Sequence, residues 1–306
     1  MSATVLAFIS AFCFASTQVT AKRGLQSVSV EASLVVSLGC AWVVIAAATL
    51  LSSPGPMSLA SGAVFAVTGL ITPGISRWAS VTGVERLGPS ISSPLQQGAR
   101  PLLAVLGAAL LLGEDLSWTR AAGVACVVIG AWTLGTVRPE VVSESLVEGN
   151  PERNGRWQRA SWRRAIRPGI VWPLLAALSY AISDILVKNE LGKSPEPFFG
   201  ATIALGAAWV GWGLLATTVP GVRKRLRFGQ GIRWFILSGC LAGVANLSLY
   251  SALDKGDVSL VAPTVGSQPL IVFILSALLL RGIERIDRST VLGGLLIVAG
   301  TTLVSI

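Results

Sequence analysis

The sequence predicts an all-α integral membrane protein with ten transmembrane helices arranged as two inverted five-helix repeats. Composition is the first reason. Of 306 residues 52% are hydrophobic and 13% charged, and mean hydropathy is +0.70, a balance suited to lipid as solvent. The second is a series of ten apolar runs, each near the ~20 residues that a spanning helix needs. The third is a duplication, at an offset of 168 residues, relating the later runs to the earlier ones. Because five is odd, the second copy must enter the membrane in the opposite sense.

The first runs lie at 3–21, 31–52, 58–81, 90–112 and 119–137. Met1-Ser2-Ala3-Thr4 carries no positive side chain, so the leading run is read as a retained helix, although Val19-Thr20-Ala21 has the look of a cleavage site. The later runs lie at 170–188, 197–219, 232–253, 259–281 and 289–306. The expected organisation is a first repeat over 3–137, a polar linker over 138–168 and a second repeat over 169–306. Spans of this length take about two thirds of the chain, so function is expected within the membrane.

The linker carries Glu140, Glu144, Glu148 and Glu152, then Arg153, Arg156, Arg159, Arg163, Arg164 and Arg167 with Trp157, Trp162 and Ile166 between them. Two readings stand: a short interfacial helix on anionic lipid over 153–167, or a solvated connection. Counted by connection, 19 of the 24 Lys and Arg fall on one face of the membrane. The other face has Arg120, Lys188, Lys193 and Lys255, while Arg100 lies within a span. The positive-inside rule then puts the linker in the cytoplasm and both termini outside a cell membrane.

Several chemistries are excluded early. There is no histidine, which removes Ser-His-Asp triads and His-ligated zinc. Cys13, Cys40, Cys126 and Cys240 sit singly inside apolar runs and suggest neither a disulfide framework nor a metal site. No cofactor, no metal and no nucleic-acid partner is expected.

The duplication is clearest in the last helices of each half. At an offset of 168, Gly88 falls on Gly256, Pro101-Leu102 on Pro269-Leu270, and Ala109-Leu110-Leu111-Leu112 on Ala277-Leu278-Leu279-Leu280. After two inserted residues, Glu114, Gly123 and Gly130 fall on Glu284, Gly293 and Gly300. The first helices are matched as Ser10-Ala11 with Ser179-Tyr180. These halves, with Leu112-Gly113-Glu114 and the glycine-spaced last helices, resemble the EamA-type branch of the drug/metabolite transporter superfamily. The resemblance implies a pseudo-symmetric secondary transporter with alternating access to a central cavity. The substrates of that superfamily range over amino acids, sugars, nucleotides, cations and drugs.

Ionisable groups at membrane depth need a partner or water. Arg100 and Asp184 are the deep ones, whereas Lys22, Lys188 and Arg77 are placed near span ends, where long basic side chains can reach the headgroups. Ser93, Gln97 and Arg100 share one face of the fourth helix, and Gln268 is the repeat counterpart of Arg100. Pro94, Pro101, Pro263 and Pro269 on the same two helices free backbone carbonyls, or simply kink packed helices. Asp184 either pairs with Lys188 four residues later or faces Arg100, where its carboxylate is the candidate for proton coupling. Tyr180, Asn246 and Tyr250 are candidate polar contacts, and Trp78, opposite Asn246 in the repeat, is a candidate stacking platform.

The expected function is transport of a small anionic or zwitterionic solute, coupled to protons at Asp184. Export of hydrophobic cations and permeation of a magnesium-like cation are the alternatives. An intramembrane enzyme is the rival class, but an aspartyl protease needs two facing carboxylates and only Asp184 is deep. Expected partners are the solute, anionic lipid and, as an open alternative, a second copy of the chain.

Overall fold

The computed structural model describes residues 2–52, 55, 57–112, 118–136, 168–191, 196–255, 264–280 and 288–305. Those residues form helices and no strand. The first half contains α1 (Ala3–Gly24), α2 (Val30–Leu51), α3 (Leu59–Leu87), α4 (Pro89–Leu112) and α5 (Trp118–Thr136). The second contains α6 (Val171–Leu191), α7 (Pro197–Thr218), α8 (Ile232–Lys255), α9 (Gln268–Leu279) and α10 (Arg288–Ser305), with one further turn at Pro220–Arg223. Among the described residues five helices, α1, α2, α3, α7 and α8, are long and apolar enough to cross a membrane. Shorter apolar stretches occur at Val171–Ser183, Thr264–Leu279 and Arg288–Leu303.

Local chemistry sets the helix ends. Ser29 and Ser58 cap α2 and α3 by accepting from Ala32 N and Ser61 N. Pro89 and Pro197 open α4 and α7, where a missing N–H costs nothing. Gly88 ends α3 at φ 84°, a conformation that favours glycine. Inside α3 the regular ladder breaks at Leu70–Ile75, because Pro73 has no N–H to give and Thr72 is extended at φ −135°, ψ 117°. The break is tied to its neighbours: Thr72 Oγ1 donates to Ser179 O at 3.2 Å and Trp212 Nε1 to Gly74 O at 3.2 Å.

The interior reverses the pattern of a soluble protein. Large apolar side chains such as Phe8, Leu50, Leu59, Leu214, Ile274 and Leu292 face outward, while Ser, Thr, Ala and Gly fill the helix contacts. Small residues at those contacts let backbones approach closely, which drives association where the surrounding medium is as apolar as the side chains.

The packing is two-fold by element. α1 packs on α8 as α6 packs on α3, α1 on α9 as α6 on α4, and α2 on α8 as α7 on α3; α2–α7, α4–α9 and α5–α10 are their own counterparts. At α5–α10 the repeat-equivalent glycines cross. A Cβ on Gly130 would lie 2.7 Å from Gly293 O, and one on Gly300 would lie 2.7 Å from Gly123 O. At α2–α7, Trp42 and Trp209 stack with centroids 5.5 Å apart and planes 21° apart. Gly206 lies under Trp42 and Gly39 under Trp209. This pair reveals a repeat that the offset of 168 hides: Leu38-Gly39-Cys40-Ala41-Trp42-Val43 recurs as Leu205-Gly206-Ala207-Ala208-Trp209-Val210, 167 residues on.

Two expectations change. The third helix does not stop at 81 but continues to Leu87, so Arg77 lies ten residues inside it, ~15 Å from its end. The charged and polar residues after Ile75 lower the hydropathy without breaking backbone hydrogen bonds. The first helices also take a different register. Buried Ala7, Ser10, Ala11, Ala15 and Thr17 match buried Pro173, Ala176, Ala177, Ala181 and Ser183, an offset of 166. Phe14-Ala15, Thr17-Gln18-Val19 and Lys22 then fall on Tyr180-Ala181, Ser183-Asp184-Ile185 and Lys188. The pairing of Ser10 with Ser179 is replaced, and Gln18 becomes the counterpart of Asp184.

Candidate functional site

Lys22, Arg23 and Arg86 gather at one end of the bundle. Lys22 Nζ donates to Val84 O at 3.1 Å and Glu85 O at 2.8 Å, at the C-terminus of α3, where a cation meets the negative end of the helix. Arg23 Nη1 donates to Leu279 O at 3.4 Å and its guanidinium stands 5.0 Å over Trp234; Arg86 stands 5.0 Å over Trp172. The end of α1 thereby contacts α3, α8 and α9. Lys22 is held by protein carbonyls, which differs from the expectation that it reaches the headgroups.

Midway along the bundle, α4 and α9 meet through a polar contact: Gln97 Nε2 donates to Gln268 Oε1 at 2.7 Å. Both belong to the proline-bearing helices singled out from the sequence. Three residues beyond Gln97, the Arg100 guanidinium lies 5.4 Å from the Tyr180 ring centroid, a cation–π contact between α4 and α6. The sequence-predicted Arg100, Gln97, Gln268 and Tyr180 are therefore brought together on neighbouring helices. On the helices that meet here, the buried Ser92 and Ser93 hydroxyls and Gln96 Oε1 of α4, Ser10 of α1 and Ser276 of α9 have no hydrogen-bond partner among the described residues.

Arg77 completes the layer from α3. Its Nη2 donates to Ser238 Oγ on α8 at 3.1 Å, and Ser238 Oγ donates in turn to Thr17 O on α1 at 3.3 Å. Tyr180 also lies within electrostatic range of Arg77. Sequence reasoning placed Arg77 at a span end; its continuation Trp78 to Leu87, helical and free of Pro, was the available signal for a longer helix.

The other three candidates have contacts of their own. Trp78 makes an edge contact with Trp172 at 5.0 Å and a tilted one with Trp212 at 6.4 Å, within an aromatic cluster of α3, α6 and α7. Asn246 Nδ2 donates to Ala242 O of its own helix at 2.7 Å, and the Tyr250 ring meets Phe198 edge-on at 6.3 Å near the start of α7. The side chains of Asp184 and Lys188, and the linker 138–167 with its lipid-binding expectation over 153–167, lie outside the described residues. Among the described residues no cluster of three His, Cys, Asp or Glu side chains exists that could hold a metal ion.

The chain matches the model of the EamA-like transporter family over residues 1–136 and again over 167–306. No curated protein matches it. A solved structure titled "Crystal structure of protein" is similar at a TM-score of 0.63 and 20% sequence identity, over 98% of this chain and 97% of that one, a likeness of fold. The two matched stretches bracket the polar linker and coincide with the two halves that pack as counterparts, and the chain is a multi-pass integral membrane protein that belongs to the EamA-like transporter family.

Proposed function

We propose that the chain is a secondary transporter moving a small anionic or zwitterionic solute across a cell membrane by alternating access. The carrying observation is the hydrogen bond between Gln97 and Gln268, which joins corresponding helices of the two halves next to Arg100 and Tyr180. Ten spans in two inverted repeats enclose this layer, and the counterpart packing of α1–α8 with α6–α3 supports that arrangement. Both termini face outward, and the 138–168 linker is cytoplasmic with residues 153–167 on anionic lipid. Asp184 exchanges the coupling proton. Cationic side chains in the polar layer disfavour hydrophobic cations and divalent metal ions as cargo.

Uptake by proteoliposomes, with and without an imposed proton gradient, tests the reading against a panel of amino acids, carboxylates, sugars and lipophilic cations. Gradient-driven uptake of an anion or zwitterion, lost in Asp184→Asn, is expected. Preferential transport of a lipophilic cation, or no transport of any solute, would overturn it.

A further inference from the structure

Among the described residues Arg77 has no counter-ion. It packs among α1, α6 and α8 and is half-buried, so part of its surface stays open. One hydrogen bond, to Ser238, is its described polar contact, and no carboxylate among the described residues stands within ion-pair distance of it. A guanidinium has five N–H donors, so most of its hydrogen-bonding capacity is not taken up by the described residues. An ionisable group inside a membrane bundle is costly and marks a functional site. Ser238 fixes its direction, accepting from Arg77 while donating to the carbonyl of Thr17.

We infer that Arg77 is the anion-binding residue of the site and that it grips a carboxylate on the solute, with the Tyr180 hydroxyl beside it. This deepens the transporter reading and rests on it. Arg100 is differently placed: its guanidinium covers the face of Tyr180 and takes part in further contacts. The class of anion follows from the donors at hand. A carboxylate has two in-plane oxygens that match the guanidinium fork. A phosphate presents three oxygens, and Ser238 already spends its hydrogen on Thr17. An ammonium group meets like charge and finds no described acid near Arg77.

Benzoate, phenyl phosphate and benzylamine share one ring and differ in the charged group, so they separate these classes. Thermal unfolding of the purified full chain in detergent is followed as each is titrated, because a ligand of the folded form raises Tm. Benzoate is expected to raise Tm, with phenyl phosphate and benzylamine inactive over the same range. Arg77→Gln is expected to weaken benzoate about 30-fold or more, and Arg77→Lys, which keeps the charge but loses the fork, about tenfold. Arg223→Gln on the surface serves as control. The inference falls if benzoate fails to stabilise the unsubstituted chain, if phenyl phosphate or benzylamine binds in its place, or if both Arg77 variants retain its affinity. Should Arg77→Gln not fold, the lysine variant and the three-probe comparison still decide. Benzoate binding intact in a protein that transports nothing would refute the transporter and leave the subsite; uptake of a carboxylate unchanged in Arg77→Lys would refute the subsite alone.

Discussion

Gln97 on α4 and Gln268 on α9 share a hydrogen bond of 2.7 Å that joins the two halves midway through the bundle. Gln268 is buried, so replacing Gln97 by Leu leaves an amide with an unmade bond. Each single substitution to Leu is expected to cost about 1–2 kcal/mol of stability. The double substitution is expected to cost less than the sum, with a coupling of about 0.6 kcal/mol, as for hydrogen bonds between membrane helices generally. Unfolding midpoints of the four proteins in one detergent measure it, and strict additivity would show that the contact carries no energy.

The glycines of α5 and α10 are expected to tolerate no side chain. A Cβ at Gly130 meets the backbone of Gly293 at 2.7 Å, and backbone cannot swing aside. Gly130→Ala and Gly300→Ala are each expected to destabilise by about 1–3 kcal/mol through overpacking. Gly213 on α7 has open space around it, so Gly213→Ala is expected to stabilise by about 0.5–1 kcal/mol through helix propensity. Opposite signs at sites of identical chemistry are the readout, taken by thermal unfolding.

Trp42 and Trp209 stack across the α2–α7 contact, each over a glycine of the other helix. A double-mutant cycle with Phe at each position is expected to give a coupling of about 0.5–1.5 kcal/mol beyond the lost contact area. Tryptophan fluorescence reports whether the remaining ring keeps its buried environment. A coupling of zero would mean that the two rings merely lie near one another.

Lys22 ties the last turn of α3 to α1 through two carbonyls. Lys22→Met keeps the apolar stem and removes the donor. The expected loss is about 1 kcal/mol, at the low end for a charged donor because the Glu85 carbonyl is solvent-exposed. Hydrogen exchange of the Val84 to Leu87 amides, compared between the two proteins, localises the effect to the end of α3.

Sidedness can be read with a cysteine probe. In a chain with Cys13, Cys40, Cys126 and Cys240 replaced by serine or alanine, Arg156→Cys in the linker is expected to react with a membrane-impermeant maleimide in inside-out vesicles and not in intact cells. Labelling in intact cells would reverse the orientation drawn from the charge count.

Lipid as solvent, the helical class and the existence of two copies were all written in the one-dimensional pattern, because each depends on residue type and spacing alone. Arg100, Gln97, Gln268 and Tyr180 could be nominated for the same reason: polar groups inside apolar runs are expensive whatever they touch. The true register of the first helices was harder to read. Small residues recur every three or four positions on any tightly packed helix, so offsets of 166 and 169 both find matches, and it is burial against α8 and α3 that separates them.

What tertiary structure alone decided is where each polar group turns and what meets it. Composition ended the third span at 81, but helical hydrogen bonds are local and ran on through Arg77 to Leu87, carrying that guanidinium from the membrane edge to the middle of the bundle. Asn246 and Trp78, paired by repeat arithmetic, turned to their own helix backbone and to an aromatic cluster, since spacing along a chain says nothing of the neighbour across it. Partners more than a hundred residues apart, such as Ser238 for Arg77, exist only once the helices have packed.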